Sequence, residues 1–183
     1  MKRYGVSRLL WALAMLAIGA GLVWFSGWWY TTARQPYLTQ HPTTVAVAGA
    51  TSLPVDKEAA QRYGVLSAAR TMDGSGQPGG YVIVTAIQGY KSVIQVQCTF
   101  AADGSTLAGV RVVSQDETEY LGTRITSESF LEPFTGRRLP MKLWTSAAFG
   151  SPVDGLSGST ISAQAVVDGV NNAYGFLQDY LAA

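Results

Sequence analysis

Apolar and polar residues alternate along the middle of the chain in the pattern of half-buried β-strands. Three segments have this pattern: Tyr81–Gln88, Ser92–Phe100 and Leu107–Ser114. Apolar side chains at every second position line one face of a strand, which can then pack against a core. The tetrapeptide "ADGS" between the last two segments is typical of a hairpin turn. We therefore expect a mostly antiparallel or mixed β-sheet in this part of the chain.

The last segment of the chain has the spacing of an amphipathic helix. Its apolar stripe contains Ile161, Ala165, Val166, Val170, Ala173, Tyr174, Leu177 and Leu181. Gly169 and Gly175 weaken this helix by about 1 kcal/mol each relative to alanine, so that packing has to supply the difference. The patterns also predict short helices at Asp56–Ala69 and Ser127–Phe134, and a strand at Arg137–Trp144. A sheet flanked by helices predicts the α+β class.

The N-terminal part has a different pattern, because no charged residue occurs from Leu9 to Ala33. As a helix, this run would extend about 37 Å at ~1.5 Å per residue, which exceeds a hydrocarbon core of about 30 Å. Trp24, Trp28, Trp29 and Tyr30 gather at its end, and basic residues precede it, as in single-pass membrane anchors. A cleaved signal peptide would have a shorter apolar run, followed by small residues at the cleavage site.

This pattern predicts a retained transmembrane helix at residues 9–33, with residues 1–8 in the cytoplasm. Residues 34–55 are predicted to form a juxtamembrane connector, because they contain three prolines and many threonines. The folded domain is then expected at residues 56–183, on the outer side of the membrane. Basic residues on the cytoplasmic side of a membrane helix set this orientation.

Composition and charge exclude several classes of function. Without Lys2, Arg3 and Arg8, ten basic residues face 12 acidic ones, so the remainder has a net charge of −2 and nucleic-acid binding is disfavoured. Cys98 is the only cysteine, which rules out an intrachain disulfide and a cysteine-based metal site. The only histidine, His41, is predicted beside the membrane, where it is poorly placed for a Ser-His-Asp triad. We predict no catalytic residue and no metal site.

Glycines at positions 74, 76 and 79 have the G-x-G-x-x-G spacing of dinucleotide-binding loops. That motif requires a strand before it and a helix after it. Here a strand-like segment, "YVIVTAI", follows instead, and Pro78 lies inside the motif. The spacing therefore predicts a glycine-rich turn.

A cluster of hydroxyl residues stands immediately before the last helix, in the segment "DGLSGSTIS". One serine or threonine can cap a helix, which contributes about 1 kcal/mol. The same helix end exposes N–H groups and a partial positive charge that suit a phosphate, and Gly158 would let a ligand approach the backbone closely. Both interpretations stay open from the residues alone. A nucleophile elbow is disfavoured, because the final glycine of G-x-S-x-G is missing.

The segment "DGLSGST" resembles the D-x-x-[ST]-G-A-[ST] flavinylation motif of FMN-binding domains. These domains occur in the G subunit of Rnf-type electron-transport complexes and in the C subunit of sodium-pumping NADH:quinone reductase. In that family the last threonine or serine carries FMN through a phosphoester bond, so the resemblance implies that Thr160 is the attachment residue. Asp154, Ser157 and Gly158 match the motif, whereas Ser159 replaces its alanine.

A second segment, "ETEYLG" (Glu117–Gly122), is similar to the E-T-P-G-L-G loop of the same family. The resemblance implies that Thr118 and Leu121 lie at the flavin ring, and it adds Glu117 and Gly122 to the cofactor-binding residues. Lys142 is similar to a family lysine in the strand before the flavinylation motif. The pair Gly89-Tyr90 resembles a glycine-tyrosine pair that precedes the family's central strand.

The resemblance implies a function for the whole chain. It would be an electron-transfer subunit with covalent FMN in a redox-driven ion-translocating complex of the Rnf type, anchored in the inner membrane by a single span. Its partners would be the other membrane and redox subunits and a flavin transferase. Three alternatives stay open: a C-subunit-like member of a sodium-pumping NADH:quinone reductase, a membrane-tethered anion-binding module without redox activity, and a flavin-dependent reductase of a small substrate.

Overall fold

The structure is a computed structural model that describes residues 11, 14–15, 17–25, 49–144 and 150–182. The chain divides into two units, Met1–Gln40 and His41–Ala183. In the first unit residues 17–25 are helical and carry exposed apolar side chains. No helix within these described ranges is both long enough and apolar enough to cross a membrane. Much of the predicted span at 9–33, the predicted cytoplasmic residues 1–8 and His41 lie outside the described residues.

Five antiparallel strands form the main sheet of the second unit. They are β1 (Ala50–Leu53), β2 (Val65–Met72), β3 (Pro78–Gln88), β4 (Val93–Ala101) and β5 (Leu107–Ser114), and their order in the sheet is their order in the sequence. Each strand pairs with the next in an antiparallel direction. The three strands predicted from alternating residues are therefore confirmed as β3, β4 and β5.

The last helix, α3 (Thr160–Ala182), packs against one face of this sheet. The core between them is apolar and fully buried, and it includes Ile83, Val96, Phe100, Val166, Val170, Ala173 and Leu177. Gly169 allows the close approach, because a Cβ atom there would lie 3.1 Å from both Thr85 Oγ1 and Val96 Cγ2. Thr85 also donates a 3.0 Å hydrogen bond to the Gly169 carbonyl. The glycine that lowers helix propensity is thus a packing requirement.

The segment before the central strands differs from the prediction. Helix α1 (Lys57–Tyr63) begins after Asp56, whose carboxylate accepts a 2.6 Å bond from Ala59 N–H, and it ends at Gly64. Gly64 has φ of +63°, a conformation that favours glycine and terminates helices. The single helix predicted at 56–69 is therefore wrong in its second half, which forms β2. Strand β1 also lies within the predicted connector at 34–55, so the sheet begins before residue 56.

The glycine-rich segment between β2 and β3 forms a turn, as its sequence predicted. The carboxylate of Asp73 accepts hydrogen bonds from the backbone N–H groups of Ser75 and Gln77, at 2.9 and 2.8 Å. Strand β3 begins directly afterwards at Pro78. No helix begins at this turn, so the geometry that a dinucleotide-binding motif requires is absent from it.

Two short strands lead towards the start of α3. Strands β6 (Met141–Leu143) and β7 (Ser151–Val153) pair in parallel, and the second of them was not predicted. The side chain of Asn171 fixes this pair to α3 by accepting a bond from Met141 N–H at 2.7 Å and donating one to the Met141 carbonyl at 2.8 Å. Of the strand predicted at 137–144, only Met141–Leu143 is therefore confirmed. Residues 154–159 then connect this strand pair to the N-terminus of α3.

A run of short helices connects β5 to β6. It consists of a 3-10 turn at Gly122–Thr126, helix α2 (Glu128–Leu131) and a second 3-10 turn at Glu132–Phe134, so the helix predicted at 127–134 is confirmed. Phe130 and Phe134 are buried and make an edge-to-face contact, with ring centroids 5.2 Å apart. This buried anchor holds the end of the loop that contains "ETEYLG".

Candidate functional site

A cleft of about 580 Å³ opens where three segments of the domain meet. These segments are the turn between β3 and β4, the loop after β5, and the start of α3. The lining residues are Tyr90, Thr118, Leu121, Gly122, Gly158, Ser159, Thr160, Ile161 and Ser162. The volume lies within the range of about 300–1,000 Å³ that small-molecule sites occupy. Six of the ten predicted site residues are thus brought together in one cleft.

The four other predicted residues do not line the cleft. Asp154 and Ser157 are exposed in the loop between β7 and α3. Lys142 is half-buried in β6. Glu117 is buried behind the lining residues, with 4% of its surface exposed. Only Glu117 among these four is linked by side-chain hydrogen bonds to residues that line the cleft.

The N-terminus of α3 forms the polar wall of the cleft. The Ser159 carbonyl accepts a 2.9 Å hydrogen bond from Ala163 N–H, which makes Ser159 the residue that caps the helix. Its side chain is only 5% exposed, and its hydroxyl has no hydrogen-bond partner among the described residues. The N–H groups of the first helical turn lack intrahelical partners, and the helix dipole gives this end a partial positive charge. A polar or anionic ligand group in the cleft would satisfy both.

The structure distinguishes the four hydroxyl residues of the sequence cluster. Ser157 is exposed but lies outside the cleft lining, and Ser159 is buried. Ser162 is 1% exposed and donates a 2.5 Å bond to Glu117 Oε2. Thr160 is therefore the residue of this cluster that combines exposure with a position in the cleft lining.

The Glu117 carboxylate is engaged by protein groups on both oxygens. Oε1 accepts from the Lys91 and Ser92 N–H groups, at 3.0 and 2.8 Å, and from the Ser92 hydroxyl. Oε2 accepts from Tyr90 N–H at 3.1 Å and from Ser162. Burial acts to raise the pKa of Glu117, but the hydrogen bonds from Ser162, Ser92 and Lys91 outweigh it, so this pKa lies below its ordinary value.

The structure adds residues that the sequence analysis did not select. Tyr90 and Ile161 line the cleft with side chains that are 69% and 55% exposed. Ile161 was predicted in the apolar stripe of the last helix, but its side chain lines the cleft and does not belong to the core. Arg124 also lies near the site, where its Nη1 donates a long, 3.4 Å bond to the Ser157 carbonyl. Only the Gly89-Tyr90 pair had a sequence signal.

The fold is similar to that of two solved structures. One is the NqrC protein of Shewanella oneidensis, with a TM-score of 0.55 and 22% identity, which covers 73% of this chain and 70% of that one. The other is the C subunit of the Na(+)-translocating NADH-quinone reductase of Parabacteroides distasonis, with a TM-score of 0.51 and 23% identity over 65% of this chain and 62% of that one. At these identities the similarity establishes a shared fold.

The sequence itself matches a protein family over the segment that builds the cleft. Residues 89–175 match the family described as FMN-binding domain, so the predicted resemblance is confirmed. All nine lining residues fall within this segment. The match thus covers β4, β5 and most of α3, and with them the segments that wall the cleft.

Two relatives in sequence are components of oxidoreductase complexes. The G subunit of the ion-translocating oxidoreductase complex of Methanosarcina acetivorans is 37% identical over 112 residues, which cover 61% of this chain and 56% of that protein. The G subunit of the Na(+)-translocating ferredoxin:NAD(+) oxidoreductase complex of Acetobacterium woodii is 30% identical, over 53% of this chain and 48% of that protein. The chain thus spans about half the length of these relatives.

Proposed function

We propose that this chain is an electron-transfer subunit that carries FMN in a multisubunit, ion-translocating complex of the Rnf type. Two observations support this function. The sequence relatives at 30% and 37% identity are G subunits of such complexes. The matched family segment also contains every residue that lines the cleft. As one component of a complex, the chain alone is not expected to complete a reaction between soluble substrates.

The cleft fits FMN in both size and chemistry. Tyr90, Leu121 and Ile161 supply exposed apolar surface suited to a flat ring system. Thr118 and Gly122 complete this side of the cleft, and Gly158 leaves the backbone accessible next to the helix start. When bound, FMN supplies the capacity to accept and give electrons singly or in pairs. The protein residues hold it, orient it and exclude water.

The N-terminus of α3 is suited to bind a phosphate group, and this is the main support for the proposal. Ser159 is one of the lining residues, its buried hydroxyl has no partner among the described residues, and the start of a helix adds N–H donors that lack intrahelical acceptors. The exposed Thr160 hydroxyl stands beside them. A phosphate group here would be satisfied by these donors without a cluster of basic residues, since a phosphodiester has a single negative charge.

We further propose that FMN is attached covalently to Thr160. The Thr160 oxygen would form a P–O bond to the flavin phosphoryl group of an activated donor, such as a flavin dinucleotide, whose pyrophosphate P–O bond breaks. The nucleoside monophosphate would leave together with the hydroxyl proton, so that the chain gains the mass of FMN less one water. A flavin transferase would carry out this step. The differences in exposure support Thr160 over its neighbours as the attachment residue, because Ser159 is buried and the Ser162 hydroxyl is hydrogen-bonded to Glu117. Covalent attachment would prevent loss of the cofactor to the outside.

The proposal includes a membrane anchor at residues 9–33, with residues 1–8 in the cytoplasm and residues 34–55 as the connector. The uncharged length of the run and its flanking basic residues support this topology. The cleft domain would then face the periplasm or the cell exterior, from an inner-membrane location. A cysteine introduced in the exposed turn as Ser75→Cys should react with a membrane-impermeant reagent in intact cells. Labelling only after lysis would contradict this topology.

A second candidate is a C-subunit-like role in a sodium-pumping NADH:quinone reductase. The fold similarity to two proteins of that kind favours it, but at 22% and 23% identity that similarity concerns the fold alone. The sequence relatives favour the G-subunit role. An anion-binding module without redox activity would explain the helix end, but it leaves the apolar walls of the cleft without a role.

The function is tested on the full-length chain, purified from the membranes of a host that has a flavin transferase. We expect an intact mass increased by FMN less one water, and a yellow colour that dithionite bleaches and air restores. We also expect co-purification with the other subunits when the complex is expressed together. A colourless protein of unmodified mass that binds inorganic phosphate would support the non-redox module instead. Turnover of a soluble donor and acceptor by the chain alone would support a reductase.

A further inference from the structure

The buried carboxylate of Glu117 lies at the junction of the three segments that wall the cleft. Three successive backbone N–H groups, from Tyr90 to Ser92, point at its two oxygens. Such a row of N–H groups forms a concave binding site for an anion. On the opposite side, Ser162 in the first turn of α3 donates to Oε2. The carboxylate thus takes the place of an anionic ligand behind the cleft.

Two glycines make room for this carboxylate. A Cβ atom at Gly89 would lie 2.7 Å from Glu117 Oε1, and one at Gly122 would lie 2.6 Å from Glu117 Cβ and 3.4 Å from Ser162 Oγ. Neither glycine has a positive φ angle, so the nearby side chains rather than the backbone conformation require them. Gly122 also lines the cleft. The packing around Glu117 therefore continues directly into the cleft wall.

We propose that Glu117 is the positioning residue of the cleft: its carboxylate holds the Tyr90 turn, the 117–122 loop and the first turn of α3 in the arrangement that receives the flavin. It acts through Tyr90, Gly122 and Ser162, which line the cleft, and it does not touch the flavin itself. This inference rests on the proposed function for the identity of the ligand. It replaces the direct cofactor contact that the family resemblance implied for Glu117.

The chemistry of the five donors requires an ionised carboxylate. The three N–H groups can only donate, and the two hydroxyls donate as well. Ionised carboxylates accept hydrogen bonds on both oxygens, and bonds to a charged acceptor are about twice as strong as neutral ones. A glutamine would keep one good acceptor and lose the other. An alanine would leave all the donors without this partner.

The first test needs no flavin and measures amide hydrogen exchange in the full-length chain. Glu117→Ala should accelerate exchange of the residue 90–92 amides by roughly tenfold or more, because their acceptor is lost. Exchange of the Ala163 amide, which donates to the Ser159 carbonyl in the first turn of α3, should also accelerate, because Ser162 no longer ties this turn to Glu117. Glu119→Ala is the matched control, since this exposed carboxylate lies two residues further on. Ser162→Ala should affect the turn of α3 and leave residues 90–92 protected. Equal exchange in Glu117→Ala and Glu119→Ala would overturn the proposal.

The second test separates a positioning role from a purely structural one by the visible circular dichroism of the attached flavin. Glu117→Ala should lose most of the flavin signal while FMN stays attached by mass, and Glu117→Gln should restore part of it. A signal unchanged in Glu117→Ala, despite faster exchange, would overturn the positioning role. If Glu117→Ala does not fold, Ser162→Ala and Glu117→Gln decide by the same signal. A wild-type chain without flavin would contradict the proposed function. The exchange data would then still test whether Glu117 holds the three segments together.

Discussion

Ser162 Oγ donates a 2.5 Å hydrogen bond to Glu117 Oε2, joining two residues that are 45 positions apart in the sequence. Both side chains are buried, at 1% and 4% exposure. The bond connects the first turn of the last helix to the loop that follows the sheet. These two elements carry the polar and the apolar walls of the cleft, so the bond fixes the distance between them.

The Glu117 carboxylate makes the domain sensitive to acid. Because its pKa is lowered in the folded state, Glu117 stabilises the fold at pH values above about 4.5, its ordinary pKa, and this contribution is lost as the pH falls through the lower folded value. We expect Glu117→Gln to be less stable than the wild type by about 2 kcal/mol at pH 7. Thermal unfolding between pH 7 and pH 3 should show the two proteins converging in acid. A constant difference over this range would contradict the assignment.

Tyr120 carries backbone strain that glycine would relieve. It has φ of +61° and is 81% exposed, and it stands where the related family loop has glycine. A left-handed conformation costs a non-glycine residue about 1–2 kcal/mol, and little packing would be lost with this side chain. We therefore expect Tyr120→Gly to raise stability by up to about 1 kcal/mol, once the added flexibility of the unfolded chain is subtracted. Chemical denaturation measures this difference.

Glu119→Gly is the control for this prediction, because Glu119 does not have a positive φ. It should lower stability by roughly 0.5–1 kcal/mol, since glycine adds only unfolded-state entropy there. A Tyr120→Gly protein that loses as much stability as Glu119→Gly would show that Tyr120 is not strained.

Gly122 should tolerate no side chain. Gly122→Ala would bring a Cβ atom within 2.6 Å of Glu117 Cβ, and we expect a loss of about 1–3 kcal/mol in stability together with less flavin incorporated into the chain. Gly109→Ala is the matched control in strand β5, because a Cβ atom there meets nothing within 4 Å. It should change stability by less than about 0.5 kcal/mol. Equal melting temperatures for the two variants would refute the packing argument.

Leu121 and Lys142 should differ in their effects on a bound flavin. Leu121 lines the cleft and is 46% exposed, whereas Lys142 lies in β6 outside the lining. Leu121→Ala should leave FMN attached but shift its visible absorption maximum, because apolar surface beside the ring is removed. Lys142→Ala should leave the spectrum unchanged. A larger shift in Lys142→Ala would return this lysine to the flavin site that the family resemblance implied.

The central strands and the last helix could be predicted because their residue patterns are strong and local. Strands β3 to β5 are rich in β-branched residues at alternating positions, and α3 follows a long apolar stripe. Strand β2 could not be predicted in this way. Its sequence, "VLSAARTM", contains three residues, Ser67, Ala68 and Ala69, that favour strands weakly, and its pairing with both β1 and β3 overrides that preference.

The sequence predicted which segments form the candidate site, but it did not predict how their side chains are arranged. The two motifs placed Thr118, Leu121, Gly122 and Thr160 in one cleft. The motifs could not show that Glu117 faces the protein, because its partners come from a turn and a helix distant in sequence. Nor could they separate Ser159 from Thr160. These neighbours differ by about 100° around the helix axis, which buries one hydroxyl and exposes the other.

The central claim is that FMN is attached to Thr160, and three variants test it. Thr160→Ala should lose covalent flavin yet remain folded, because Thr160 is exposed and is not the capping residue. Thr160→Ser should keep part of the attachment, since the hydroxyl remains. Ser159→Ala should keep attachment, because this buried hydroxyl is not the reactive one, although it removes a donor for the phosphate group.

The most direct measurement is peptide mass spectrometry of a digest that covers Val153–Val167, from the full-length chain made in the presence of a flavin transferase. The account predicts that this peptide gains the mass of FMN less one water, with fragment ions that assign the modification to Thr160. The same peptide from Thr160→Ala should be unmodified. FMN assigned to Ser157, Ser159 or Ser162, or flavin that survives denaturation in Thr160→Ala, would contradict the account.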